Sequence, residues 1–157
     1  MKRGEDILRR SDVLQETKDI LESKFSYSIY AGEIVEGFKT PCFFIKLIKR
    51  KDSQTTNFTN NPLSIIITYF ASSEKNKDIE YIDMIDDIEL LFNTGFPVAD
   101  RYLHINSIRD ECIGEKQDIL QITIEIEYLD STNKKTDEEM GYIPATTLKT
   151  NMRLRAD

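Results

Sequence analysis

Apolar residues in the first part of the chain return at the spacing of a helix. Ile7, Leu14 and Leu21 recur at heptad intervals, Val13, Thr17 and Ile20 lie beside them, and Phe25 closes the stripe. Glu16, Asp19 and Glu22 fall away from it, so residues 5–24 are predicted to form an amphipathic helix resting one side on a core. Three strands are expected next. A short one covers 28–31. In 42–49, Phe43, Ile45 and Leu47 alternate with Phe44, Lys46 and Ile48. In 63–71, Leu63, Ile65, Ile67 and Tyr69 oppose Ile66 and Phe70. Strands that are apolar on both sides belong in the centre of a sheet or against a partner. The polar stretch 50–62 between them reads as a long loop, a kind that in compact domains usually serves function.

Asn76 is placed to cap a second helix running to Phe92. Tyr81, Ile82, Ile85, Ile88 and Phe92 are assigned to its inner face, and Glu80, Asp83, Asp86 and Asp87 to the opposite one. Thr94-Gly95-Phe96-Pro97 breaks it. Residues 102–113 form an irregular strand. Residues 118–129 form the clearest one, with Leu120, Ile122, Ile124, Ile126 and Tyr128 alternating with Gln121, Thr123, Glu125 and Glu127. One face on a core and one in water is the mark of an antiparallel sheet. Beyond Asp130 the pattern collapses into a polar stretch, followed by scattered apolar positions and the basic residues Lys149, Arg153 and Arg155. The order α-β-β-β-α-β-β predicts an α+β fold, with two helices on an antiparallel or mixed sheet of about five strands. Residues 1–130 are expected to be a single domain. Residues 131–157 are expected to be a polar linker and extended C-terminal tail that docks on a neighbouring subunit or partner.

At 157 residues the chain is long enough to bury a sizeable core as one domain. Its formal charge of −7 opposes the phosphate neutralisation that nucleic-acid binding requires, and no basic face interleaved with aromatics appears. Met1-Lys2-Arg3-Gly4 leads into a charged helical pattern, not a signal peptide. The longest apolar run, Ile65-Ile66-Ile67, is far below the ~20 residues of a membrane span. No membrane partner is therefore expected, and Cys42 and Cys112 fit no disulfide framework, which points to a reducing cytoplasm.

Candidate chemistry is sparse. His104 is the only histidine, and a cysteine–histidine nucleophile pair requires Cys42 or Cys112 to meet it in space. Cys42 lies in an apolar strand, where a small buried thiol is the ordinary reading. One histidine and two cysteines fall short of a closed zinc set, and no phosphate-binding glycine motif is present. Asp83-Met84-Ile85-Asp86-Asp87 lacks the glycine of a calcium loop. No catalytic residue, cofactor or metal is expected, and the chain does not read as an enzyme. The helix acids are either a solvated face or an electrostatic surface for a basic partner.

The most distinctive stretch is Ser28-Ile29-Tyr30-Ala31-Gly32-Glu33-Ile34-Val35-Glu36-Gly37-Phe38-Lys39-Thr40-Pro41-Cys42-Phe43-Phe44-Ile45. It reads strand, turn, strand, with Gly37 supplying turn dihedrals and Pro41 leading into the next strand. This stretch resembles the phage tail terminator family of phages, prophages and phage-tail-like bacteriocins of Gram-positive bacteria. The resemblance extends over most of residues 5–130: a long first helix, then this segment, a polar loop, an apolar strand, an acidic helix and a closing strand pair. It implies a structural protein that caps the head-proximal end of a tail tube as a hexameric ring and offers a docking face to neck, collar or connector proteins. Implied partners are copies of the chain itself, the tube protein and, in contractile tails, the sheath. Such a protein resides in the host bacterial cytoplasm during assembly and then in the particle's neck. A ring demands heterologous contacts. Candidate interface residues are Gly37, Phe38, Lys39, Pro41, Asn57, Phe58, Asp83, Asp86, Asp87, Tyr142, Lys149, Arg153 and Arg155, with the loop reaching the tube and the basic tail crossing an adjacent acidic helix. An acidic lumen would also repel passing DNA. The alternatives are another head–tail connector or stopper of the neck, and less readily a small cytoplasmic enzyme.

Overall fold

The computed structural model describes residues 7–32, 36–55, 58–72 and 77–131. The elements run α1 (Arg10–Lys24), β1 (Ser28–Ala31), β2 (Cys42–Lys49), β3 (Asp52–Ser53), β4 (Phe58–Phe70), α2 (Lys77–Phe92), β5 (Gly95–Val98), β6 (Arg101–Ile113) and β7 (Ile119–Ser131). The strands join one mixed sheet in the order β1-β2-β4-β7-β6-β5, with β3 appended to β4. Only β1 and β2 are parallel. This is the expected α+β architecture, with a sheet of seven strands where about five were anticipated.

Alternation along β4 and β7 decides which face is buried. Their register sets Leu63 opposite Ile126, Ile65 opposite Ile124, Ile67 opposite Ile122 and Tyr69 opposite Leu120. All eight are buried on one face, joined by Phe43 and Ile45 of β2, Leu103 of β6 and Phe96 and Val98 of β5. Val13, Thr17 and Leu21 of α1 and Tyr81, Met84, Ile88 and Phe92 of α2 cover that face. The hydroxyl of buried Thr17 donates back to the carbonyl of Val13 (2.7 Å), so its polar atom is satisfied within the helix. The opposite rows, Ser64 with Glu125, Ile66 with Thr123 and Thr68 with Gln121, form the sheet's second face. Among the described residues, no helix lies over it.

Three local expectations are corrected. The stretch 50–62 is not one long loop. It is a hairpin arm in which β3 pairs with β4 (Asp52↔Asn60, Ser53↔Thr59), and β4 starts at Phe58. Asn60, Asn61 and Pro62 look like turn residues, yet the strand accommodates them. Asn61 is buried, and its amide donates to the carbonyls of Thr59 and Tyr128 and to Asp130. The Pro62 carbonyl accepts from the Arg50 amide (2.9 Å), just past the last residue of β2. The missing proline N–H therefore falls where that ladder has already ended. Gly95-Phe96-Pro97 breaks α2 as expected but also forms the edge strand β5 on β6. Gly95 sits against the Leu103 carbonyl and the Tyr102 ring, and a side chain there would collide with both. Finally, Ile82 is exposed, and Met84 takes the inward position assigned to it. The irregularity of β6 is a register shift between Ile105 and Ser107.

A buried polar cluster closes one end of the domain. Asp130 pairs with Arg101 (2.8 Å), accepts the Leu8 amide (3.1 Å) and accepts the Asn61 amide (3.3 Å), tying β7, β6, β4 and the approach to α1 together. The Asp130→Ala substitution is therefore expected to remove the carboxylate paired with Arg101 and one of the three acceptors of the Asn61 amide, and to cost about 3 kcal/mol in urea unfolding. An unchanged denaturation midpoint would remove this cluster from the account.

Three core tyrosines hold their protons tightly, chiefly because burial disfavours phenolate. Tyr69, which also donates to Glu80 (2.6 Å), is pushed well above the usual range, and Tyr81 and Tyr128 are pushed up to about 12. A raised folded pKa means that stability is fully present below the unfolded value of about 10 and is lost as pH rises through about 10 to 12. The Tyr128 hydroxyl has no hydrogen-bond partner among the described residues. Tyr128→Phe should thus keep or raise the melting temperature at pH 7 and reduce the loss between pH 10 and 12. Thermal melts across that range check both, and a variant that melts earlier at pH 7 would contradict the assignment.

Candidate functional site

Within the distinctive segment, residues 36–41 fold over at one end of the sheet. Gly37 adopts φ +81°, and the Thr40–Pro41 peptide is cis. The loop carries Phe38 back over the helix-free face, where its ring meets Phe44 (5.2 Å) and Phe70 (4.7 Å). Phe44 in turn stacks on Tyr30 (5.0 Å). The Tyr30 hydroxyl accepts the Lys39 amide (3.3 Å). Phe38 and Pro41 are half-buried, so they shape the loop, while Gly37 and Lys39 are exposed. The aromatic cover buries Cys42 and Phe44. Farther along β2 the same face opens, and Ile48 is 50% exposed.

The second patch is the tip of the β3–β4 arm. Phe58 is exposed there, and its carbonyl accepts the amides of Gln54 and Thr55. Asn57 lies outside the described residues. Beside the tip an open groove of about 700 Å³ includes Gln54, Asn60, Tyr102, His104, Glu127 and Leu129 in its walls. It lies on the helix-free face near the Asp130 end. Sequence periodicity missed it because its lining comes from four separate strands and segments, none of them unusual alone.

The third patch is α2. Asp83 and Asp86 are exposed, as expected, but Asp87 turns toward α1 and pairs with Lys24 (3.9 Å). Ile79, Ile82 and Leu90 share the exposed side with Asp83 and Asp86, making that side apolar as well as acidic. A helical wheel centred on Met84 instead of Ile82 would have revealed this in the sequence. Tyr142, Lys149, Arg153 and Arg155 lie outside the described residues.

These patches do not converge. Loop 36–41 adjoins the Cys42↔Phe70 end of the β2–β4 ladder, and the Phe58 tip is at the other end of β4, about 40 Å away at strand rise. The α2 patch is on the opposite, helical side of the sheet. Nor do the nucleophile candidates meet. Burial raises the Cys42 thiol pKa. Cys112 is exposed at the far end of β6 from His104, about 26 Å along the strand. No group of three or more metal-ligating side chains occurs among the described residues, and no described helix is long and apolar enough to cross a membrane. The described residues thus present separate surface patches on one framework.

No curated protein matches the sequence. One solved structure superposes on 83% of this chain and 100% of its own at a TM-score of 0.44 and 7% identity, a likeness too slight to carry an argument. The family comparison is decisive. The phage tail terminator protein family matches residues 12–139, from the first turn of α1 through the whole sheet and past β7. The chain belongs to the phage tail terminator protein family and is a structural component of a phage tail.

Proposed function

We propose that this chain caps the head-proximal end of a tail tube as a closed hexameric ring, stopping tube growth and presenting its other rim to neck, collar or connector proteins. The observation that carries this reading is the family match over residues 12–139. The placement of the patches supports it. A ring needs each subunit to offer two different surfaces to its neighbours, plus others to the tube and the neck. Loop 36–41, the Phe58 tip and the α2 face point in different directions, as that division of contacts requires. The proposed partners are further copies of the chain, the tube protein, the neck or collar and, where the tail contracts, the sheath. The particle is a phage tail or a phage-tail-like bacteriocin, and the chain reaches it from the bacterial cytoplasm. Residues 132–157 act as a docking tail that follows the last strand.

Light scattering and negative-stain imaging with purified tail tubes test this directly. The expected outcome is a ring of six 18.3 kDa subunits at one tube end. Retention on portal particles but not on tubes would make it a connector instead, and a monomer that ignores both would end the proposal.

Assembly without bond chemistry also predicts how the nucleophile candidates behave. Replacing Cys42, Cys112 and His104 together by alanine should leave tube capping intact. The only cost should be about 1 kcal/mol of stability from the cavity at buried Cys42. If the triple variant folded normally but no longer terminated tubes, a reactive role for one of these side chains would replace the structural one.

A further inference from the structure

The outward side of α2 is the least expected surface of the domain. Ile79 is 64% exposed, Ile82 58% and Leu90 79%, along about 16 Å of helix, with Asp83 and Asp86 between them. An apolar stripe in that setting marks a contact surface more than a solvated face. The electrostatics of the helix point the same way. It carries Asp78, Glu80, Asp83, Asp86, Asp87 and Glu89 against Lys77 alone, and no basic residue occupies its last turn. Acids toward the C-terminal end oppose the helix dipole, so a cationic partner laid there would relieve both the charge crowding and the dipole.

The chain itself contains a segment of matching chemistry. From residue 148 the sequence alternates with period two. Leu148, Thr150, Met152 and Leu154 fall on one side of an extended chain, and Lys149, Asn151, Arg153 and Arg155 on the other. No acid occurs between residues 141 and 156. Extended, 148–154 spans about 20 Å, close to the length of the α2 stripe, and long basic side chains can reach around to flanking carboxylates. The preceding stretch 132–147 provides up to about 50 Å of reach, enough to pass from one subunit to the next.

We propose that residues 148–155 of one subunit lie across the outward face of α2 of its neighbour. Leu148, Met152 and Leu154 cover Ile79, Ile82 and Leu90, and Lys149, Arg153 and Arg155 face Asp83, Asp86 and Glu89. This rests on the ring reading above and gives it one concrete heterologous contact, an arm from each subunit strapped over the next.

Disulfide trapping in the full-length chain tests it, in a Cys112→Ser background so that no other exposed described thiol competes. Ile82→Cys and Leu154→Cys are made singly and together. Mixed single variants should give a cross-linked dimer under oxidation, and the double variant should give a ladder up to the closed ring. Adding Asp83→Lys and Asp86→Lys to the Ile82→Cys chain should cut the mixed cross-link at least tenfold at low salt. Lys149→Glu and Arg153→Glu on the Leu154→Cys chain should restore it. A double variant that closes only within its own chain would overturn the contact between neighbours. So would the absence of any cross-link between the mixed single variants. Light scattering on the same samples separates the two claims. Rings that form without the cross-link sink only the arm contact, and cross-linked chains that never engage a tube sink only the capping role.

Discussion

The pairing of β4 with β7 sets everything else in this domain. The two strands lie side by side from Phe58↔Ser131 to Tyr69↔Leu120, and their alternation is in phase, isoleucine opposite isoleucine across the middle of the ladder. A slip of β7 by one residue against β4 would turn Ile122, Ile124 and Ile126 to the helix-free face and bring Thr123 and Glu125 into the core. The register is therefore fixed by burial, and the Asp130 cluster at one end supports it with directed hydrogen bonds. Among the described residues, α1 and α2 cover only one face of the sheet, and the other face and the outer side of α2 carry exposed apolar side chains.

Legibility followed the clarity of period. β7 alternates strictly between apolar and polar, and its buried set was evident from residues 118–129 alone. The first helix was equally plain, though its structured turns begin at Arg10. Sequence reasoning failed where local chemistry and long-range pairing disagree. Asn60, Asn61 and Pro62 favour a turn, but β7 offers them a partner along their whole length. Gly95-Phe96-Pro97 ends a helix and becomes an edge strand, because β6 leaves room for a residue without a side chain at Gly95. Neither partner strand is visible from within the segment it captures.

Of the residues expected at contacts, Gly37, Lys39, Asp83 and Asp86 are exposed, whereas Phe38 is engaged with Phe44 and Phe70, and Asp87 with Lys24. The apolar character of the outer α2 face was missed, since an isoleucine in an amphipathic helix is ordinarily assigned inward. Its exposure sets apolar side chains among the neighbouring acids Asp83 and Asp86.

Imaging an intact tail end by electron cryomicroscopy, with density for this chain resolved, tests the central claim most directly. The account predicts copies arranged around the tube axis at the terminal ring, each touching its neighbours through unlike surfaces and none found along the tube. Density showing the chain as an isolated subunit, or at a site away from the tube end, would contradict it.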